Sequence, residues 1–474
     1  MDTTQLIIWI GDWMPVLWVF AFGACVGSLL NVLAYRLPLG LDCVTPSSRC
    51  PSCDTKLTWR ENIPIFGWLM LCGKCRFCRS KISPQYPIVE AFVAFLWAGT
   101  YALWFVLPSY GQGPFGIHWA SVKPEWTRLG VLHVWPIMLV FFSLFSCLVA
   151  MTLTDLKSFT IPLVLPWFAT AFGVVTHTAF AVYVGLSGKD LAPLRGTEWP
   201  WSLATPAVQV GDVAAGLTTL SSWWWIGASI GGTVGIGVGL LLLRFKLIGR
   251  SFEDYQAWEE AEIAKQQADA AVGTGQSTVE QPAADPTELW IAYPHARREM
   301  VKELAFLAPC GVLAWFGGQW MVGLPTRGAD ITTTTGVAIE TAIMPPLWLN
   351  VLSGVLLGYL VGGGIVWLVR ILGSIGFRKE AMGLGDVHLL AAVGACVGWI
   401  DSILTFFTAA FVGLIGTVLA MVVASAAGRK GGPQRTLPFG PSLAIACGIV
   451  VLFKPLFEAG LTRLLHAELP VNLP

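Results

Sequence analysis

LHVWPIMLVFFSLFSCLVAMTLT (132–154), followed at once by DLKSFTIP (155–162), is the stretch that decides the fold. A helix needs roughly 20 apolar residues to cross the hydrocarbon core of a bilayer, and this run supplies them. It ends on Asp155, with Lys157 close behind, so the reading is a membrane span that delivers a carboxylate to the membrane surface. An ionisable group in such a place is costly and is by default a functional hypothesis.

The rest of the chain repeats the pattern. Of its 474 residues 55% are hydrophobic and 12% charged, with a mean hydropathy of +0.66, whereas a soluble domain carries about 25% charged residues. Similar runs lie at about 8–36, 88–107, 161–184, 223–245, 302–323, 346–370, 384–400, 402–427 and 436–456. The expected fold is therefore an all-α polytopic membrane protein of about 8–10 transmembrane helices with a small cytoplasmic zinc-binding module. The alternating ten-residue strands of a membrane β-barrel are absent. The N-terminus lacks the basic region of a cleaved signal peptide and carries Asp2 and Asp12, so the first span is expected to stay.

Orientation follows from the basic residues, which favour the inside. With the N-terminus outside, only Lys123, Arg128, Lys189, Arg195, Arg327, Lys454 and Arg463 of the 29 Lys and Arg fall on the outer side. The net charge of zero is uninformative about partners; the bilayer is one, and no nucleic-acid partner is expected. Five regions follow: a first span (1–36), a cytoplasmic four-cysteine module (37–87), spans bearing Asp155 (88–245), a cytoplasmic insertion (246–299) and the remaining spans (300–474). The insertion begins with a charged helical stretch over about Phe252–Ala271 and continues into the linker GTGQSTVEQPAADP, whose composition cannot bury enough apolar surface to fold alone. External loops are expected at 185–222 and 324–345.

Most of the 11 cysteines lie on the expected cytoplasmic side, where disulfides are disfavoured. SRCPSC supplies Cys50 and Cys53, and KCRFC supplies Cys75 and Cys78, two C-x2-C pairs 21 residues apart. Four thiolates on two knuckles suit a closed tetrahedral Zn(II) site. Cys72 keeps a Cys72–Cys75 pairing formally open, and reduced, unmetallated cysteines are the plain alternative. Cys25, Cys147, Cys310, Cys396 and Cys447 lie in or beside apolar runs and read as small buried hydrophobes.

A second carboxylate, Asp386, opens the span that follows AMGLGD (381–386). The charge bias puts it on the same side as Asp155, so the two can meet. Peptide hydrolysis needs a base to activate water and an acid to protonate the carbonyl oxygen or the leaving amine; two carboxylates sharing a proton supply both. Gly383 and Gly385 allow a sharp turn or close backbone approach before the helix. No H-E-x-x-H, G-x-S-x-G or P-loop offers rival chemistry. Taken singly, Asp386 could be an N-cap and Asp155 an interfacial charge. A transporter using both acids as a relay would instead place them in broken helices at mid-membrane, and a zinc-scaffolded binding protein would need neither.

The order of motifs resembles the type IV prepilin leader peptidases: GSLLNVLAYRLP (27–38), SRCPSC, ENIPIFGWLMLCGKCRFCRSKISPQYPIVEAF, the Asp155 segment with Ile161 and Pro162, GLGDVHLLAA and TLPFGPSLA (436–444). The resemblance implies a membrane aspartic endopeptidase of the bacterial inner membrane, with Asp155 and Asp386 catalytic at the cytoplasmic face. Its substrates would be type IV prepilins or pseudopilins of pili or type II secretion. It also implies N-methylation of the new terminus with S-adenosylmethionine, an activity the cysteine module accompanies. LCGKCRFC aligns with the family's LRGRCRxC, so Cys72 takes an arginine's place and Cys75 with Cys78 take the ligand places. Lys157 stands where a second acid is common, Leu163 where an acid or amide follows I-P, and His388 where lysine is usual. About ten runs stand here where the family usually has eight spans, so the surplus fits an insertion comprising 246–299 and one added hairpin of helices between spans four and seven. No dinucleotide-type glycine fingerprint marks an S-adenosylmethionine site; Asn31, Arg36 and Glu90 could line one or serve structural roles at span ends.

Overall fold

The computed structural model describes residues 2–43, 47–107, 123–186, 222–255, 257–258, 261–262, 264–265, 293–322, 330–332, 338–340, 345–378, 380–426 and 439–465. The stretch 187–221, where an external loop is expected, the linker at 272–285, most of 324–345 and the first three residues of TLPFGPSLA lie outside the described residues.

Helices dominate. In chain order they are α1 (Thr3–Arg36), α2 (Phe66–Met70), α3 (Gln85–Tyr101), α4 (Val131–Ser158), α5 (Val164–Leu186), α6 (Ser222–Arg244), α7 (Ala296–Val322), α8 (Leu347–Phe377), α9 (Leu384–Val397), α10 (Trp399–Ala426), α11 (Phe439–Leu452) and α12 (Lys454–Leu465). A short antiparallel pair, Asp330–Thr332 with Ala338–Glu340, is the one sheet among the described residues. Among the described residues eight helices are long and apolar enough to cross a membrane: α1, α3 with its π-helical extension to Val106, α4, α5, α6, α7, α8 and α10. The chain is a multi-pass membrane protein.

Two expected spans take a different form. Helices α9 and α11 have 14 residues each, which at 1.5 Å per residue reach only about 21 Å, short of a hydrocarbon core of about 30 Å. Helix α9 lies inside the bundle, and α11 buries one face against it while Ile445 on another is exposed. From Val387 to Val397 every α9 residue except His388 is buried, and α9 shares one hydrophobic core with buried residues of α4, α5, α8 and α11. An apolar helix surrounded by protein does not need to match the bilayer's thickness.

Lipid is as apolar as a leucine side chain, so burial alone does not drive these helices together; close backbone approach does. At the α8–α9 crossing a Cβ placed on Gly358 would lie 2.0 Å from the Gly394 carbonyl oxygen, and the reverse holds equally. One turn on, a Cβ on Gly362 would lie 2.3 Å from the Leu390 carbonyl oxygen. Gly227, Gly231 and Gly235 form a second seam, along which α6 meets the backbone of α7 at Gly317, Leu313 and Cys310. A hydrogen bond between the hydroxyls of Ser229 and Ser353 at 2.8 Å ties α6 to α8.

Of the cysteines read as buried hydrophobes, Cys147, Cys396 and Cys447 are buried and Cys310 is half-buried, whereas Cys25 is exposed on the outer face of α1. The insertion after α6 folds in part. Phe252 and Tyr255 pack with Tyr293, Ala296, Met300 and Ile371, flanked by Trp258, Leu307 and Trp367. Its aromatic content, which composition averaged over the whole segment conceals, gives this part a small core of its own.

Candidate active site

Asp155 occupies the last turn of α4. The helix stops at Phe159, which adopts the left-handed conformation (φ 51°, ψ 28°) and donates its N–H to the Asp155 carbonyl at 2.9 Å. The chain then passes through Ile161 and Pro162 into α5. The Asp155 side chain is only 7% exposed. Its carboxylate accepts the backbone N–H of Gly440, at the start of α11. A Cβ on Gly440 would lie 2.6 Å from Asp155 Oδ2, so the absence of a side chain there is what admits the carboxylate.

Asp386 lies in the first turn of α9, with Gly383 as an extended N-cap (φ −72°, ψ 147°) whose carbonyl accepts the Asp386 N–H at 3.3 Å. The two motif glycines differ in what they touch. A Cβ on Gly385 would come within 3.0 Å of Ile161 Cβ, whereas one on Gly383 would meet nothing nearer than 3.9 Å. Ile161 also stands 3.5 Å from the Cβ position of Gly440. It therefore wedges the α4–α5 turn against the starts of both α9 and α11, and in that arrangement the half-buried Asp386 carboxylate feels the charge of Asp155. The residues sequence reading overlooked as parts of the site are Gly440 and Ile161. Their only sequence signals were TLPFGPSLA and the I-P offset.

Of the departures from the family pattern, Lys157 is exposed, and two residues from Asp155 it projects from another side of the helix. His388 turns to α5, its ring 6.2 Å from that of Trp167.

The Sγ atoms of Cys50, Cys53, Cys75 and Cys78 all lie within 4.8 Å of one another and could hold a metal ion. Cys50 to Cys78 is 3.8 Å and Cys53 to Cys75 is 4.0 Å; a tetrahedral zinc with Zn–S of 2.3 Å requires about 3.8 Å between sulfurs. Cys72 is exposed and outside this group. RCPSCDTK and KCRFCRSK fold as a repeat. Arg49 bridges to Lys56 as Lys74 does to Lys81. The N–H of Cys50 binds the Thr55 carbonyl as that of Cys75 binds Ser80. Asp54 and Arg79 take the same left-handed turn, with φ of 52° and 58°. Backbone N–H groups of Ser52 and Cys53 bring the Cys50 thiol down to about 6 and the Ser80 hydroxyl and N–H lower that of Cys78, whereas at Cys75 the N–H groups of Cys78 and Phe77 are outweighed by burial and the contacts with Cys50 and Cys78, which push the thiol up. Glu61 joins the halves, accepting from Thr58 and pairing with Arg76 at 3.0 Å.

Asn31 and Glu90 have structural partners. Asn31 donates to the carbonyls of Gly27 and Tyr86 at 3.3 and 3.2 Å, and Glu90 accepts the Ile65 N–H at 2.6 Å. Arg36 donates to the Asp42 carbonyl at 3.3 Å.

Residues 21–104 match the family model described as Bacterial Peptidase A24 N-terminal domain, and residues 330–418 match the Type IV leader peptidase family. The first covers the cysteine module and the second Asp386; Asp155 and Gly440 fall outside both. Among curated proteins the chain is similar to three described as Prepilin leader peptidase/N-methyltransferase. It is 48% identical to that of Myxococcus xanthus over 18% of this chain and 26% of the relative. The figures are 38% over 21% and 44% for Klebsiella pneumoniae, and 28% over 49% and 83% for Aeromonas hydrophila. The matched stretches thus span less than half the length of the first two and most of the third. No solved structure matches.

Proposed function

We propose that this chain, a member of the type IV leader peptidase family, is a membrane aspartic endopeptidase that removes the leader of type IV prepilins or pseudopilins and then N-methylates the new terminus. The observation that supports the reading is the packing of Ile161 against Gly385 and Gly440, which brings the turn that follows Asp155 to the start of the helix that carries Asp386. Two carboxylates at close range do not both ionise readily. The ionised one takes a proton from water as that water attacks the scissile carbonyl; the protonated one gives its proton to the carbonyl oxygen and, as the intermediate collapses, a proton reaches the leaving amine. The titration belongs to the pair.

The excess of Lys and Arg on one set of loops supports a bacterial inner-membrane protein whose active site faces the cytoplasm. The four-cysteine cluster supports a structural zinc held by Cys50, Cys53, Cys75 and Cys78, whose role is to close the 37–87 module. S-adenosylmethionine is the methyl donor in this reading, as the relatives' N-methyltransferase description suggests. The five-region division by residue number is part of the same proposal. The test is purified protein with a synthetic prepilin and isotope-labelled S-adenosylmethionine, read by mass. Cleavage at one bond with one labelled methyl on the mature product supports the whole reading. Cleavage without label removes the methyl-transfer half.

A further inference from the structure

Arg370 stands near the end of α8, 1% exposed, and a buried charge in a membrane helix calls for an account of its partners. Its Nε donates to Glu303 Oε1 of α7 at 2.9 Å. Its Nη1 donates to Glu380 Oε1 at 2.6 Å and to the carbonyl of Met382, both in the loop that leads into Gly383. Phe252 of the insertion lies under the guanidinium, 5.3 Å from its carbon. Glu303 is itself held in place: Trp367 donates to Oε2 and Ser251 to Oε1, each at 2.9 Å. The loop is fixed at two more points. Ala381 donates its N–H to Ser374 at 3.3 Å, and the Arg378 carbonyl accepts the N–H of Tyr293 at 2.7 Å.

We infer that Arg370 is a positioning residue that fastens the loop before Asp386 to the α6–α7 hairpin, making that hairpin part of the peptidase's working structure. The chemistry of the side chain fits the task. A planar guanidinium offers donors in fixed directions and can serve one carboxylate through Nε while serving a second carboxylate and a carbonyl through Nη1. A lysine has one charged atom and cannot span both sides. Met382 lies four residues before Asp386, so freedom at this point passes directly into the placement of the carboxylate. Helix α7 contributes Glu303 and the segment after α6 contributes Ser251 and Phe252 to one face of the knot, and the loop contributes Glu380 and Met382 to the other.

The inference rests on the peptidase reading for its consequence in rate, and two readouts separate their failures. Hydrogen exchange is followed at the amides of residues 380–386 in purified full-length chain. Exchange there should be faster in Glu380→Ala and in Arg370→Lys, with the rest of α9 protected as before. Cleavage of the synthetic prepilin by Glu380→Ala should show kcat per folded chain lowered about tenfold or more with KM nearly unchanged, and a displaced acid limb in the pH–rate profile. Glu380→Gln, which keeps an oxygen acceptor for Nη1, should restore most of kcat. Unchanged exchange at 380–386 in both variants overturns the inference whether or not the wild type cleaves. So does a Glu380→Ala enzyme with wild-type kcat and pH profile, or one whose loss is matched by its unfolded fraction. A wild-type chain that cleaves no prepilin while the exchange result holds overturns the peptidase reading alone.

Discussion

The Asp155 carboxylate fills the space that a side chain at Gly440 would occupy, with Oδ2 2.6 Å from the Cβ position. The atom in the way is the free end of a side chain and not backbone, so a methyl at Gly440 can be accommodated by turning the carboxylate aside. Gly440→Ala should therefore fold and insert normally, melt near the wild-type temperature and lose activity. A displacement near 1 Å in such a site can cost on the order of 100-fold in rate. Steady-state cleavage and a thermal melt on the same preparation check this; a variant that melts early and cleaves normally per folded chain speaks against it.

The α8–α9 crossing behaves in the opposite way. A methyl on Gly394 meets the Gly358 carbonyl at 2.0 Å, where only a shift of whole helices gives relief. Gly394→Ala should destabilise the protein by about 1–3 kcal/mol, as overpacking of a close-packed interior commonly does, and weaken activity through misplacement of α9. Gly383→Ala, with nothing nearer than 3.9 Å, should be mild by comparison. Thermal melts of the two variants in one detergent check the order.

The cysteine module should carry about one zinc per chain, the stoichiometry of a single closed four-thiolate site. Cys72→Ser should retain the metal, since Cys72 lies outside the sulfur group. Cys75→Ser should lose the metal or the fold of the module. Elemental analysis of both variants decides it, and metal loss in Cys72→Ser with retention in Cys75→Ser would reassign the fourth ligand.

Deleting residues 272–285 should leave cleavage nearly unchanged, because a Gly/Thr/Gln/Pro-rich stretch of this kind has little apolar surface to bury. The aromatic core around Phe252, Tyr255 and Tyr293 is expected to behave differently, since it holds the knot at Arg370. Loss of cleavage on deletion of the linker, with normal expression, would mean that the linker contacts substrate or a partner.

What could be read from sequence follows from the range of each interaction. The long spans were legible because an apolar run is local and the bilayer dictates its length. Asp155 and Asp386 were legible because charge is conspicuous in apolar surroundings, and the cysteines because metal knuckles have fixed spacing. The short helix α9 looked like a span, since an apolar helix inside protein has the composition of one in lipid. Arg370 was counted only as an inside charge: nothing near it in the chain announces Glu303, 67 residues earlier. Gly440 and Ile161 act through contacts that exist only once the helices are packed. The small core at Phe252 was hidden by averaging aromatic residues with a polar linker.

The most direct test of the two-carboxylate site is cleavage of a synthetic prepilin by purified Asp155→Asn and Asp386→Asn enzymes, each verified for membrane insertion and metal content. Removing either carboxylate removes a partner of the shared proton, so each variant should insert normally, keep its metal and show no leader cleavage above background. Full cleavage by either variant would contradict catalysis by the pair.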